Sequence, residues 1–340
     1  MKNSIRFIEV SGSPYERGKA AGRMFKDSLG LITPKYLKML KTPALYQQMN
    51  RVRKKVINTF PSYYQEICGR ADGADICQDT YFLMMCAEIL GEGTGCTSVV
   101  YKRPNGSILL AHNEDDNFTI ENSCITKCST ESGWFVTSDF HTMPFGNGFS
   151  WNSHGIIKII NYCRPVKINP EGIPRYLAQR HISEARSIPD FIERCSLPDR
   201  ASGYHAIVLD TNTHTAVSVE VTADSISIQD IHDVYSHTNH YIHQQIYSEK
   251  SLEEAGSTSS FRLNKAHRLL NEAISDKVNN LGINDVIKIL QYRGHSFQDS
   301  ILAVPGDPYV TFATFAIDTA EKQTIQINFY ITKENIQINY

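Results

Sequence analysis

From Arg17 to about Leu90, apolar residues recur at spacings of three and four, the pattern of helices that bury one face. Prolines punctuate it at Thr33-Pro34, Thr42-Pro43 and Phe60-Pro61, where helices are expected to break. Ser13, Pro14 and Glu16 form a helix start: a capping hydroxyl, a proline at the first helical position and an acid three residues after the cap. The first 95 residues therefore predict a mainly helical unit. At Cys96 the pattern changes. Residues 97–102 are rich in β-branched side chains, Arg103-Pro104-Asn105-Gly106 is turn chemistry, and 107–112 form the return strand. Further strands are predicted at 134–140, 155–161, 204–209, 215–221, 309–317 and 324–331, with helices at 174–186, 188–197, 257–273 and 284–292. Helices, strands, helices and strands in that order predict an α+β layer architecture.

The 340 residues allow one large domain or two ordinary ones, and no Gly/Ser/Pro linker or internal repeat divides them. Lys+Arg 34 against Asp+Glu 36 leaves a net charge of -2, which argues against a nucleic-acid surface. The start lacks a signal-peptide stretch, and the apolar run 81–90 is too short to span a bilayer, so a cytoplasmic protein with no membrane partner is expected. Eight cysteines without a CxxC pair predict reduced thiols. Cys124 and Cys128 lack the second pair that a zinc site needs.

The sharpest chemistry lies at Gly93-Thr94-Gly95-Cys96-Thr97-Ser98. A cysteine after a glycine at a strand start fits a chain that cuts itself at Gly95-Cys96, so that Cys96 becomes a new amino terminus and its own amine serves as base. An α-amino group titrates at ~7.7–8.0 and a thiol at ~8.5, so the amine can take the thiol proton near neutral pH. Gly95 is expected to suit the cut because a residue without Cβ reaches strained backbone angles. The hairpin brings Asn113-Glu114-Asp115-Asp116 to the same sheet end as Cys96, where carboxylates can hold an ammonium; charge alone reads equally as a solvated loop. His237, His240 and His243 do not share a face of a strand, so they read as polar loop residues ahead of a metal site. Asn239 and Asn161 each offer a side-chain amide to an oxyanion.

Five segments carry a family resemblance over nearly the whole chain: Gly12-Ser13-Pro14-Tyr15-Glu16-Arg17-Gly18, Gly95-Cys96-Thr97-Ser98, Ala111-His112-Asn113-Glu114-Asp115, Trp151-Asn152-Ser153-His154-Gly155-Ile156 and Ser236-His237-Thr238-Asn239-His240-Tyr241. The chain resembles the acyl-coenzyme A:isopenicillin-N acyltransferase family, which includes β-alanyl-amine hydrolases. The resemblance implies a four-layer αββα N-terminal-nucleophile sandwich, made as a precursor and cut into an α chain (1–95) and a β chain (96–340) that stay together as one domain. It implies Cys96 as nucleophile, Asp115 as the acid supporting it and Asn239 as the oxyanion asparagine, with Asn161 resembling a second one in more distant relatives. Thr97, Asn113 and Glu114 stand as supporting residues, Arg262 matches a recurrent arginine of unassigned role, and no cofactor or metal is implied. Penicillin-forming members carry an arginine shortly after a Ser-Ile pair, whereas Ser300-Ile301 is followed here by Leu302-Ala303. That departure, with the His-Asn-Glu-Asp form of the acidic motif, points to a linear N-acyl amine as the amide or acyl donor, with water or an amine as acceptor.

Two other readings of the residues stand beside this one. An uncut thiol hydrolase would pair Cys96 with His112 or His237 as base. A non-enzymatic protein would use the histidine cluster to bind a ligand or metal.

Overall fold

A computed structural model describes residues 4–90, 95–163, 166–249, 257–277, 280–320 and 324–339. The first helices follow the sequence pattern: α1 (Pro14–Met24), α2 (Lys26–Leu40), α3 (Pro43–Thr59), α4 (Pro61–Gly73), α5 (Gln78–Met85) and α6 (Ala87–Leu90). The Ser13/Glu16 capping box forms as expected. The expected break at Pro34 does not occur, and α2 runs through it. Leu29 and Tyr36, seven residues apart on one face, are both buried, so packing on either side of the proline outweighs its missing donor. α1 and α4 cross at backbone contact: a Cβ on Gly18 or Gly22 would sit 2.0 or 2.1 Å from the carbonyl oxygens of Glu66 and Arg70, and one on Gly69 or Gly73 would strike α1 in the same way.

Two sheets form the centre. One runs β1 (Phe7–Val10), β4 (Ser123–Thr130), β5 (Gly133–Phe140), β6 (Ser150–Asn152), β7 (Ile156–Tyr162), β8 (Tyr204–Asp210), β9 (Thr215–Val221) and β10 (Ile226–Asp230). The other runs β11 (Val234–His237), β2 (Gly95–Lys102), β3 (Ile108–Asp116), β12 (Val310–Asp318), β13 (Thr324–Phe329) and β14 (Asn335–Asn339). Strand alternation sorts the side chains into layers. Val100, Leu110, Phe315 and Ile317 meet Val136, Ile157, Ile207 and Leu209 between the sheets. Val99, Tyr101, Leu109 and Ala111 face outward onto α9 (Ser259–Asp276) and α10 (Ile283–Leu290). On the far side, Ile156, Ile160 and Val208 pack against α7 (Arg175–Ile182) and α8 (Ile188–Cys195). The architecture is thus the expected α+β sandwich of four layers, αββα. No helix among the described residues is long and apolar enough to cross a membrane.

The N-terminal segment is tied to the rest in three ways. β1 pairs in parallel with β4. Arg70 of α4 makes a buried ion pair with Asp139 of β5 at 3.0 Å. Glu66 accepts from Arg17 of α1 and from Arg180 of α7, at 2.9 and 3.2 Å.

Candidate active site

β2 and β3 set the site through their register. Cys96 lies opposite Glu114, Ser98 opposite His112, Thr97 opposite Asn113 and Gly95 opposite Asp115. The acidic motif is therefore part of a strand and not a loop: β3 extends to Asp116, four residues beyond the predicted end. Alternation then divides the motif. Glu114 and His112 share the inter-sheet face with Cys96, while Asn113 and Asp115 share the α9/α10 face with Thr97.

Cys96 is 2% exposed, and its Sγ lies 3.9 Å from Glu114 Oε1. Burial, then the charges of Glu114 and Asp115, push the thiol far above its ordinary value; the Asp115 backbone N–H and Arg262 act the other way. The sulfur is thus a protonated thiol that needs a base before it attacks anything. Asp115 is fully buried, with Oδ1 accepting from Thr311 Oγ1 at 2.7 Å, and burial lifts its carboxyl from 3.8 to about 6 against the pull of Arg262. Asn113 is spent on structure: Nδ2 donates to Leu290 O at 3.0 Å and Oδ1 accepts from Thr314.

Arg262, on the first turn of α9, is the hub that no sequence pattern assigned. It donates to Cys96 O at 2.5 Å, Thr97 Oγ1 at 2.8 Å, Asn239 Oδ1 at 2.7 Å and Thr258 Oγ1 at 2.9 Å. Asn239 Oδ1 also accepts from the Cys96 backbone nitrogen at 2.9 Å. A guanidinium and an N–H are donors only, so they fix which end of the Asn239 amide faces Cys96. Its Nδ2 points away and donates to Tyr162 O at 2.9 Å. Asn161 lies further along the inter-sheet face. Its Oδ1 is held by Ser98 Oγ and His205 Nδ1, at 2.8 and 2.9 Å, and its buried Nδ2 has no hydrogen-bond partner among the described residues.

Gly95 needs a different explanation from the one expected. It lies within β2, paired with Asp115, and its backbone is not among those with positive φ. What excludes a side chain is Tyr309: an added Cβ would fall 2.8 Å from both its Cζ and its hydroxyl oxygen. Gly93 and Thr94, the rest of the glycine motif, lie outside the described residues.

The histidine cluster does not converge. His237 shares hydrogen bonds with Glu220 Oε1 and Thr238 O, both at 2.8 Å, His240 with Ser259 Oγ at 2.7 Å, and His243 with Ser218 and Ser227. With both ring nitrogens engaged, His237 does not serve Cys96. Glu220 also accepts from the backbone N–H groups of Ile242 and His243, at 2.7 and 3.0 Å, which pins the loop carrying Asn239. A cavity of ≈ 30 Å³ opens at Cys96, bordered by Glu114, Phe118, Met143, Tyr162, Arg175 and Gln179. That is room for about one water.

A buried thiol on a sheet end, faced by a carboxylate and with its own nitrogen and carbonyl clamped by an asparagine and an arginine, fits a thiol-dependent acyl-group chemistry. The sequence profile of the family described as acyl-coenzyme A:6-aminopenicillanic acid acyl-transferase matches residues 101–322, well over half of the chain. The chain belongs to that family. It is 26% identical over 249 residues to the 40 kDa form of acyl-coenzyme A:6-aminopenicillanic-acid acyltransferase of Emericella nidulans, covering 68% of each chain. It is 25% identical over 222 residues to the β-alanyl-dopamine/carcinine hydrolase of Drosophila melanogaster, covering 56% of each. Among solved structures, a mutant of conjugated bile acid hydrolase from Clostridium perfringens aligns with a TM-score of 0.49 at 15% identity, over 72% of this chain and 92% of that one. The N-acylethanolamine-hydrolyzing acid amidase ortholog of Caenorhabditis elegans aligns at 0.45 and 11%, over 72% and 100%.

Proposed function

We propose that the chain is a self-processing N-terminal-nucleophile cysteine amidohydrolase or acyltransferase acting on linear N-acyl amines. The observation that carries this reading is the clamp on Cys96: Asn239 holds its nitrogen and Arg262 its carbonyl, with the thiol buried beside them. A mechanism that uses the amine of the nucleophile itself needs that nitrogen fixed before and after the cut.

In maturation, Cys96 Sγ attacks the Gly95 carbonyl carbon and the Gly95–Cys96 C–N bond breaks. The departing nitrogen takes a proton and becomes the α-amine. Water then hydrolyses the Gly95 thioester, leaving a carboxylate on one side and the free thiol on the other. In turnover the neutral α-amine takes the thiol proton, and the thiolate attacks the substrate amide. The leaving amine departs protonated, and the acyl thioester passes to water in hydrolysis or to an amine in transfer. The oxyanion has two amides within the site's asparagines: Asn161 Nδ2, without a partner among the described residues, and Asn239 Nδ2, which must leave Tyr162 O to serve. The cavity at Cys96 has room for about one water, so a substrate enters only once the site opens further.

The two relatives are named as an acyltransferase acting on 6-aminopenicillanic acid and a hydrolase of β-alanyl-dopamine and carcinine, which supports acyl transfer or hydrolysis here. The Leu302-Ala303 departure and the His112-Asn113-Glu114-Asp115 motif favour the linear substrate. The two chains, 1–95 and 96–340, stay associated through β1, Arg70–Asp139 and Arg17–Glu66–Arg180. A Cys-His reading keeps one supporting observation: His112, Glu114 and Cys96 place ligand atoms within 4.8 Å of one another.

Denaturing electrophoresis and intact mass of the purified protein test the reading. Two fragments beginning at Met1 and Cys96 are expected, and Cys96→Ala should stay whole. Acetylating the Cys96 amine of mature enzyme should abolish turnover; undiminished activity would return the base to His112.

A further inference from the structure

Ser98 Oγ carries one proton and donates it to Asn161 Oδ1 at 2.8 Å. Its other contact, with His112 Nδ1 at 2.9 Å, is therefore received from an Nδ1–H. That assigns the tautomer of His112: Nε2 bears a bare lone pair. His112 is 0% exposed, and Nε2 has no hydrogen-bond partner among the described residues. It faces Glu114 Oε2 at 3.7 Å, and Glu114 Oε1 faces Cys96 Sγ at 3.9 Å. Three electron-pair donors of different hardness thus converge around one point.

We propose that Cys96 Sγ, His112 Nε2 and the Glu114 carboxylate form a site for a borderline-soft divalent cation, Zn²⁺ being the fitting case, and that its occupancy silences the thiol. The donor set is thiolate, neutral imidazole and carboxylate, the three ligand types of tetrahedral zinc. Ligand bonds of ~2.0–2.3 Å at tetrahedral angles put ligand atoms roughly 3.3–3.7 Å apart. His112 Nε2 and Cys96 Sγ lie 3.7 and 3.9 Å from the two Glu114 oxygens, and one ligand atom from each residue lies within 4.8 Å of the others, so the three side chains must draw together by up to about 1 Å on binding. The cation carries two positive charges against one thiolate and one carboxylate, so the buried site becomes neutral. Outer contacts are in place: Ser98 orients the imidazole, and the Phe149 backbone N–H donates to Glu114 Oε2 at 3.3 Å. Cys96 and Glu114 both line the small cavity, which leaves space beside them for a water as fourth ligand. Binding the metal forms an Sγ–metal bond and releases the thiol proton to solvent; no electron changes hands. The silencing, though not the binding, rests on Cys96 being the nucleophile.

The test uses Co²⁺ as a probe on the full chain after stripping with chelator. One equivalent should bind with a thiolate-to-cobalt charge-transfer band in the near ultraviolet and tetrahedral bands in the visible, and Zn²⁺ should displace it. Glu114→Gln should weaken binding by about tenfold or more, as should His112→Asn, which keeps a donor toward Ser98 and removes Nε2. Cys96→Ser should remove the charge-transfer band. Absence of the band in the wild-type chain, or unchanged affinity in a folded His112→Asn protein, overturns the site. Should either variant fail to fold, X-ray absorption of the zinc-loaded wild type decides: one sulfur with nitrogen and oxygen neighbours supports the site, and a sulfur-free shell overturns it. Self-cleavage and amide turnover measured with zinc bound give the second readout. Full activity at full occupancy overturns the silencing, whereas a protein that binds zinc at this site and never cleaves itself or any amide refutes the enzymatic reading and leaves the site standing.

Discussion

Gly95→Ala tests the geometry at the scissile bond most directly. The new Cβ would sit 2.8 Å from Tyr309 Cζ, against an ordinary carbon–carbon separation of roughly 3.5–4.0 Å, so something must move by about 0.7 Å or more. Tyr309 is backed edge-on by Phe297 with ring centroids 5.0 Å apart, and its hydroxyl lies 3.4 Å from Thr258. The ring is therefore not free to swing away, and part of the displacement falls on the Gly95 carbonyl that Cys96 must attack. Overpacking of this kind costs about 1–3 kcal/mol, and misplacing a reacting group by about 1 Å costs on the order of 100-fold in rate. Self-cleavage of Gly95→Ala should thus be about 10- to 100-fold slower than wild type, read as the fraction of fragments against time after refolding. Tyr309→Ala removes the obstacle, so the alanine penalty measured in that background should largely vanish, whatever Tyr309→Ala does alone. Equal cleavage rates for the parent and its Gly95→Ala variant, or the same penalty with and without Tyr309, would refute the steric argument.

Arg262→Lys should slow both maturation and turnover by about 100-fold, because one ammonium cannot reach the four acceptors a guanidinium spans; wild-type kinetics would remove Arg262 from the clamp. Asn239→Ala should slow turnover by ~100- to 1,000-fold while the protein remains folded, and a parallel collapse of the melting temperature would make the residue structural. For Asp115, the unfolded carboxyl ionises near 3.8 and the folded one near about 6, so the fold keeps a proton that the unfolded chain has lost. Stability contributed at this position therefore falls as pH rises from about 4 to about 6 and stays lower above that. Asp115→Asn should accordingly stabilise the protein at pH 7.5 by up to roughly 3 kcal/mol, with no gain at pH 3.5, while impairing maturation; denaturant titrations at the two pH values check it, and equal gains would deny the shift.

The helical first unit and the 97–112 hairpin were legible because their signals are local: apolar periodicity, a capping box and an Asn-Gly turn. The strand pair also placed Cys96 beside the acidic motif, as pairing demands. What failed was the end of β3. Ending the strand at His112 left Asn113 to Asp116 as an undifferentiated loop, whereas carrying the alternation four residues further would have put Glu114 across from Cys96 and Asp115 on the other face. β1, β6, β10, β11 and β14 were missed because at three to five residues they are too short for an alternation such as Asn-Ile-Gln-Ile-Asn to stand out, and β4 because it is largely polar. The Arg262 contact with Cys96 spans 166 residues, and the Ser98–His112–Asn161–His205 network exists only once two sheets are stacked. Neither leaves a mark at any single stretch of sequence. Nor could Gly95 be understood without Tyr309, which reaches it from the far end of the chain.

The pairing of β1 also bears on solubility. It covers the flank of β4, an eight-residue strand whose buried positions include Cys124, Ile125 and Cys128. Were residues 1–95 shed after a cut, that strand would present a long row of unpaired amides and carbonyls to its neighbours, the template from which chains stack into aggregates. The leading segment therefore behaves as a permanent lid on a sticky edge, and a β chain made alone would be expected to precipitate for want of four residues of strand.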